Sequence, residues 1–179
     1  MSALLDTQLD ISEVEFGVRG TPSLFDVSNR KVEIGSFHDM YKVTNYKALT
    51  KLEKNKDYIS FGNGKKPLHI ILSTKCSHCI RMINDKNVMD NISAKYSAKI
   101  YLMPLSNNPE ELEQIKYILS APMGERYALL GEAMNTEFVP SKVPFTFKID
   151  NYLSVLAETG INQTPTLLDG DFKELTNLE

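Results

Sequence analysis

Apolar residues follow two different spacings along the chain, one typical of strands and the other of helices. Residues 14–18 carry apolar side chains at every second position, as a half-buried strand does. Two short apolar runs, 23–27 and 31–34, then flank the turn-forming sequence Ser-Asn-Arg at 28–30. This arrangement predicts a β-hairpin. The first 43 residues are therefore predicted to form a small β-rich segment.

Helical spacing begins after this segment. Tyr46, Leu49 and Leu52 recur at three-residue steps behind Thr44, a residue type that caps helices well. This spacing predicts a linker helix, which ends before the break Gly-Asn-Gly-Lys-Lys-Pro at 62–67. The predicted organisation is a β-rich segment over 1–43, a linker helix and loop over 44–66, and a main domain over 67–179.

The main domain shows an alternation of strand and helix patterns, which indicates the α/β class. The apolar run 68–72 predicts a buried strand, and 99–103 predicts a second one. Asn108-Pro109 is a typical helix start. Further helices are predicted over 125–135 and 150–159. The helix after Asn108 is expected to bury the stripe Leu112, Ile115, Ile118 and Leu119.

Composition and charge narrow the function classes. The chain has 179 residues, 42% of them hydrophobic, which supports a substantial core. The net charge of −3 and the absence of a clustered basic patch give no reason to expect nucleic-acid binding. No apolar run reaches the length of a membrane span, and the N-terminus lacks the pattern of a secretory signal. The chain is thus either cytosolic or the mature part of an exported protein.

The most informative motif is Cys76-Ser77-His78-Cys79, which holds the only two cysteines. It follows a predicted strand directly, so it is expected at a helix N-terminus. The free N–H groups and positive dipole there stabilise a thiolate. In such motifs the cysteine pKa falls from about 8.5 to between roughly 3.5 and 7.5. Cys76 is predicted to be the exposed nucleophile and Cys79 the resolving thiol.

Other interpretations of the two cysteines stay open. A structural zinc site usually needs four ligands, and only His38, His69 and His78 could supplement the pair. The spacing could also arise by chance. A purely structural disulfide is disfavoured, because closing so short a loop removes little entropy from the unfolded chain. No cofactor and no metal are expected.

The order of motifs is strand, Cys-x-x-Cys helix, strand, helical insertion, helix, Thr164-Pro165 and strand. It resembles the thioredoxin superfamily, and within it the periplasmic disulfide isomerases of the DsbC/DsbG type. The resemblance implies a thioredoxin-like fold with a helical insertion, preceded by a dimerisation-like N-terminal segment and a linker helix. It also implies that the Thr164–Pro165 bond is cis, lies against the cysteines and holds the substrate backbone. Thr21-Pro22 has a similar local sequence but precedes the dithiol.

The sequence also differs from the family pattern in three ways. The N-terminal segment is shorter than the family's dimerisation domain, so homodimer formation is left open. Few residues follow Leu168, fewer than the usual final strand and closing helix require. The family's second cysteine pair is absent.

Ser77 and His78 are the candidates for tuning the redox potential. His78 is predicted to stabilise the Cys76 thiolate by a hydrogen bond or a positive charge, which would make the disulfide more oxidising. The strand 68–73 also lacks the buried acid of reducing thioredoxins.

The predicted function is therefore that of a thiol–disulfide oxidoreductase or disulfide isomerase acting on exported, cysteine-containing client proteins. It implies a periplasmic location and a redox partner that resets the dithiol. The alternative is a client-binding or assembly protein on the same scaffold, with secondary redox activity.

Overall fold

The computed structural model describes residues 23–26, 31–34, 45–105, 108–135 and 147–176. Several features predicted above lie outside these ranges: the alternation over 14–18, the turn 28–30, His38 and Thr44. The chain forms two compact units, Met1–Thr44 and Asn45–Glu179, and each is described by itself.

The described part of the first unit is a two-stranded ribbon. Strand β1 (Ser23–Asp26) pairs antiparallel with β2 (Lys31–Ile34), so that Ser23 lies opposite Ile34 and Asp26 opposite Lys31. The two strands of the predicted hairpin are thus confirmed.

The second unit alternates helices and strands, as expected for the α/β class. Its strands are β3 (Ile59–Phe61), β4 (Lys66–Leu72), β5 (Tyr96–Leu102) and β6 (Thr166–Asp169). Its helices are α1 (Leu49–Asn55), α2 (Ser77–Asn84), α3 (Lys86–Lys95), α4 (Pro109–Ser120), α5 (Arg126–Asn135) and α6 (Ile149–Thr159).

The four strands form one mixed sheet in the order β3-β5-β4-β6. The central pair, β4 and β5, is parallel, and both outer strands run antiparallel to their neighbours. Beyond β6 the chain turns back on itself. The Asp169 N–H donates to the Lys173 carbonyl and the Leu175 N–H to the Leu167 carbonyl. Residues 173–175 thus pair with β6 along the edge that faces away from β4.

The core extends further towards the N-terminus than the sequence predicts. Leu49 and Leu52 of α1 and Ile59 of β3 are at most 1% exposed. They belong to the same apolar core as the strand β4, whose residues 68–72 are all buried. The compact unit therefore begins at Asn45, not at residue 67, because α1 contributes core side chains instead of bridging two domains.

Local signals in the sequence explain where two of the helices begin and end. Asn108 caps α4 by accepting a hydrogen bond from the Glu110 N–H, and Pro109 occupies the first helical position. Helix α6 ends at Gly160, which adopts a left-handed conformation with a φ of 67°. Glycine suits this position because it lacks a Cβ.

Arg126, at the start of α5, joins the C-terminal ends of two helices. Its Nη1 donates to the carbonyls of Lys56 (2.6 Å) and Tyr58 (2.8 Å), just beyond α1. Its Nε and Nη2 donate to Ala121 (2.9 Å) and Leu119 (2.7 Å) at the end of α4. Carbonyls at a helix C-terminus lack partners within the helix and carry partial negative charge, so one guanidinium stabilises both ends.

Replacing Arg126 with Met should therefore lower the free energy of unfolding by about 2–4 kcal/mol, because four carbonyls lose a charged donor. Urea denaturation followed by circular dichroism measures this change. Arg126→Lys should be intermediate, since lysine keeps the charge but not the fork of donors. The matched control is Arg81→Met, which removes an exposed guanidinium. Equal stabilities of the two Met variants would contradict the proposed role of Arg126.

His69 lies in a buried polar cluster on one face of the sheet. Its Nδ1 is 3.3 Å from the Tyr101 hydroxyl and 3.4 Å from Oε1 of Glu53, which extends from α1. The other carboxylate oxygen of Glu53 accepts a hydrogen bond from Lys99 at 2.6 Å. The ring of Phe172 stacks on the imidazole, with 4.6 Å between centroids. Burial lowers the pKa of His69, an effect that Glu53 opposes, Lys99 reinforces and Asp169 opposes.

The lowered pKa of His69 predicts that the fold loses stability in acid. Below about pH 6.5 the unfolded chain takes up a proton that the folded protein resists, so the free energy of unfolding falls with pH, by at most about 1.4 kcal/mol per pH unit. Above that pH this contribution is fully present. Urea denaturation between about pH 5 and pH 8, the range in which histidine titrates, measures how the free energy of unfolding changes with pH.

His69→Phe should flatten the slope, since phenylalanine keeps the ring stacking without a titrating group. His78→Gln is the control, because it removes an exposed imidazole that lies outside this buried cluster. An unchanged slope in His69→Phe would show that another group causes the acid sensitivity.

Candidate functional site

The turn between β4 and α2 carries the dithiol. Strand β4 ends at Leu72, and Cys76, four residues later, takes the N-cap position of α2, with backbone φ and ψ of −80° and 119° in the extended region. Cys79 lies one turn into the helix on its buried face. The predicted arrangement, a strand that leads into a dithiol at a helix N-terminus, is thus present. The two thiols are free in this structure.

The two thiols differ in exposure. Cys76 is 8% exposed and Cys79 is completely buried. Cys76 is therefore less accessible than predicted, because its sulfur lies 3.4 Å from the Thr164 carbonyl, to which the thiol donates a hydrogen bond. A reagent or substrate can reach only a small part of its surface.

The pKa values of the thiols are shifted in opposite directions. Burial raises the pKa of Cys76, but hydrogen bonds with Thr164, with Cys79 and with the His78 backbone outweigh it, so the net shift is downward. Burial also raises the pKa of Cys79, and there it dominates, giving a value of about 12. Of the two thiols, Cys76 is therefore the one that loses its proton first, as expected for a nucleophile paired with a resolving thiol.

Thr164 brings the segment before β6 to the dithiol. The peptide bond between Thr164 and Pro165 is cis, and both residues are half-buried. The Thr164 hydroxyl has no partner with full hydrogen-bond geometry, yet the side chain is close enough to lower the pKa of both thiols. The Thr166 hydroxyl donates to the Gln163 carbonyl at 2.9 Å and so stabilises the turn. The structure thus joins Cys76, Cys79 and Thr164 at one place.

His78 and Ser77 are both exposed on the first turn of α2. The His78 ring is directed towards Arg81, one turn further on, with 2.8 Å between Nδ1 and Nη2. A guanidinium has only donors, so Nδ1 is the acceptor in this contact. The His78 group that hydrogen-bonds Cys76 is the backbone, not the ring. Redox tuning by the imidazole stays a prediction.

Sequence reasoning missed two polar residues below the dithiol. Glu111 and Gln114 of α4 are 1% and 0% exposed, while Leu112, expected in the buried stripe, is only partly buried. The carboxylate accepts a hydrogen bond from the Ser73 hydroxyl, and the amide oxygen accepts one from Thr74. The only signal was the position of both residues beside the apolar stripe, which does not reveal burial on its own.

Two further features bear on the alternatives raised above. Within the ranges that the structure covers, no three His, Cys, Asp or Glu side chains are grouped closely enough to hold a metal ion. Among the helices of those same ranges, none has the length and apolar character needed to cross a bilayer.

Comparisons with known proteins were made by sequence and by structure. No protein-family model and no curated sequence matches the chain. Several solved structures do. The thiol-disulfide exchange protein alpha-DsbA2 of Wolbachia pipientis superimposes with a TM-score of 0.55 at 16% identity, covering 80% of this chain and 93% of that one.

Two other solved structures are similar to a comparable degree. The catalytic domain of Proteus mirabilis ScsC has a TM-score of 0.54 at 17% identity, over 73% of this chain and 88% of that domain. Helicobacter pylori DsbG has a TM-score of 0.56 at 12% identity, over 83% and 81%. These likenesses confirm the predicted thioredoxin-like α/β fold.

The unequal thiols predict selective alkylation of Cys76. In the reduced protein at pH 7, iodoacetamide should modify a Cys79→Ala variant at least about tenfold faster than a Cys76→Ala variant, because the thiolate is the reactive form. Rates measured by mass spectrometry across a pH series should give an apparent pKa for Cys76 below that of a free cysteine. Equal rates in the two variants would contradict the assignment of roles.

Proposed function

We propose that this protein is a thiol–disulfide oxidoreductase whose reacting groups are Cys76 and Cys79. The observation that carries the proposal is the difference between the two thiols. One has a lowered pKa at the start of α2, and the other is buried one turn below with a raised pKa. A pair in a purely structural role would need no such difference.

The first step is attack by the Cys76 thiolate on one sulfur of a substrate disulfide. A bond forms between Cys76 and that sulfur, the substrate's disulfide breaks, and the second substrate sulfur leaves as a thiolate. In the reduction branch, the Cys79 thiol loses its proton and attacks the Cys76 sulfur. The substrate then leaves as a dithiol, and the protein holds the Cys76–Cys79 disulfide. Run in reverse, these steps oxidise a substrate dithiol.

The raised pKa of Cys79 favours isomerisation over simple reduction. In the reduced protein, burial and the neighbouring Cys76 raise the pKa of Cys79 to about 12, and burial, the largest cause, persists in the mixed disulfide and keeps Cys79 mostly protonated. The mixed disulfide on Cys76 is then resolved slowly from within the protein. A second cysteine of the bound substrate has time to attack its own sulfur, which forms a new substrate disulfide and releases the Cys76 thiolate.

Thr164 and Pro165 are proposed to bind the substrate backbone beside the reacting sulfur. Thr164 is already in contact with Cys76 through its carbonyl. The turn 163–165 precedes β6, so an extended substrate segment at this turn would be in place to hydrogen-bond main chain to main chain. The proposed substrates are therefore extended, cysteine-containing stretches of client proteins.

The proposed setting is the periplasm, with a redox partner that resets the dithiol. The setting follows from the resemblance of the motif order to periplasmic disulfide isomerases, and the neighbour described as a thiol-disulfide exchange protein supports the need for a redox partner by analogy. Homodimer formation through the β1–β2 ribbon is part of the same proposal.

The experiment that tests the function is equilibration of the dithiol with glutathione redox buffers. A reduction potential less negative than about −220 mV is expected, which would place the pair above the glutathione poise and suit an oxidising or isomerising protein. Refolding of a scrambled-disulfide substrate then separates isomerisation from oxidation. Cys79→Ser should keep partial isomerase activity and accumulate mixed disulfides, whereas Cys76→Ser should lose both.

Other results would lead to different conclusions. A potential near or below about −270 mV would indicate a reductant. If the Cys76→Ala/Cys79→Ala double variant still suppressed aggregation of an unfolded client as well as the wild type, client binding would be the primary function. If no disulfide formed at all, the oxidoreductase proposal would be wrong.

A further inference from the structure

The turn that carries the dithiol is attached to helix α4 by a buried carboxylate. Glu111 is 1% exposed. Its Oε1 accepts a hydrogen bond from the Ser73 hydroxyl, and its Oε2 accepts one from the Leu105 N–H at 3.1 Å. One side chain therefore joins the loop after β4 to the loop after β5.

Ser73 also hydrogen-bonds the backbone or the thiol of both cysteines. Its hydroxyl accepts a hydrogen bond from the Lys75 N–H at 3.1 Å, and its carbonyl accepts one from the Cys76 N–H at 3.4 Å. The Ser73 backbone also hydrogen-bonds the Cys79 thiol, which opposes the effect of burial on its pKa. The position of Ser73 thus determines where the peptide group of Cys76 and the sulfur of Cys79 lie.

A second contact lies one turn further along α4. Gln114 is fully buried, and its amide oxygen accepts a hydrogen bond from the Thr74 hydroxyl at 2.7 Å. Ser73 and Thr74 are adjacent, and their partners are three residues apart on one face of a helix. The turn is consequently held at two successive residues.

Stability alone does not account for these polar residues. The same face of α4 buries Ile115 and Ile118, and an apolar residue of similar volume at position 111 would avoid the free energy needed to remove a carboxylate from water. A buried hydrogen-bonded carboxylate instead fixes direction and distance, which an aliphatic contact does not.

We propose that Glu111 and Gln114 are positioning residues for the dithiol, holding Ser73 and Thr74 so that Cys76 remains at the N-cap of α2. This inference rests on the proposed function and deepens it, since it assigns residues of α4 to the reactivity of Cys76. Without them the turn relaxes and Cys76 moves away from the amides of α2. The Cys76 thiolate then becomes less stable.

The test compares Glu111→Gln, Ser73→Ala and the double variant with Glu113→Gln. Glutamine at 111 can accept from Ser73, but its amide nitrogen cannot accept from the Leu105 N–H, so one contact is lost. Glu113→Gln is the matched control, because it removes the same charge two residues away. Glu113 is 42% exposed at its side chain and pairs only with Lys116 among the ion pairs described. Circular dichroism establishes that each variant is folded.

The measurement is the pH profile of Cys76 alkylation in the reduced protein, mapped by mass spectrometry. Glu111→Gln and Ser73→Ala should each lower the rate at pH 7 by about threefold, equivalent to about half a pKa unit, and Glu113→Gln should leave it unchanged. The double variant should resemble the stronger single one, because the two substitutions interrupt one connection, from Ser73 through Glu111 to Leu105, at its two ends. Gln114→Leu should act in the same direction.

A purely structural role gives a different result. If Glu111→Gln and Ser73→Ala lower the melting temperature but keep the wild-type pH profile, the positioning proposal is wrong. Additive effects in the double variant would also contradict it. If Glu111→Gln fails to fold, Ser73→Ala decides the question alone. Alkylation needs no disulfide exchange, so a wild-type protein that fails to equilibrate with glutathione would refute the proposed function while leaving this test valid.

Discussion

The hydrogen bonding of a single sulfur atom at a helix N-terminus is the interaction on which the proposed chemistry depends. Cys76 caps α2, and the amides of that first turn together with Thr164 offset the effect of burial on its pKa. At Cys79, one turn deeper, hydrogen bonds with the Ser73 backbone and Thr164 do not outweigh burial, and the pKa is raised. Two identical side chains thus become unequal because one lies at the end of a helix and the other within its buried face.

The difference between the two thiol pKa values depends on the sheet, which fixes the positions of the dithiol turn and of Thr164. Strand β4 is central, paired with β5 on one side and β6 on the other, so it delivers both the turn before Cys76 and the register that places Thr164 beside it. Because Ile71 lies opposite Thr166, the residues just beyond these two, on β4 and before β6, meet at the same edge of the sheet. A shift of this register by one residue would reverse the faces of β6 and move Thr164 away from the thiols.

Sequence analysis predicted the position of the candidate site better than the contacts that support it. Cys76, Cys79 and Thr164 were found because short motifs with fixed geometry carry them, and the helix at Asn108 because its cap is local. The core contribution of Leu49 was missed, since a linker helix and a core helix share the same periodicity. Arg126 and Glu111 were missed as well, because their partners lie on other elements, far away in the chain, and no local pattern encodes such contacts.

Two polar side chains buried within β4 and just beyond it have different consequences for the molecule. His69 lies within the strand, in a cluster with Glu53 and Tyr101, so its protonation affects the stability of the whole fold. Ser73 lies just beyond the strand's end, so the contact with Glu111 acts on the turn and hardly on the sheet. Although the sheet and the turn adjoin, acid that lowers the stability of the sheet need not alter the turn. The pH dependence of stability and that of thiol reactivity should therefore separate, each following its own titrating group.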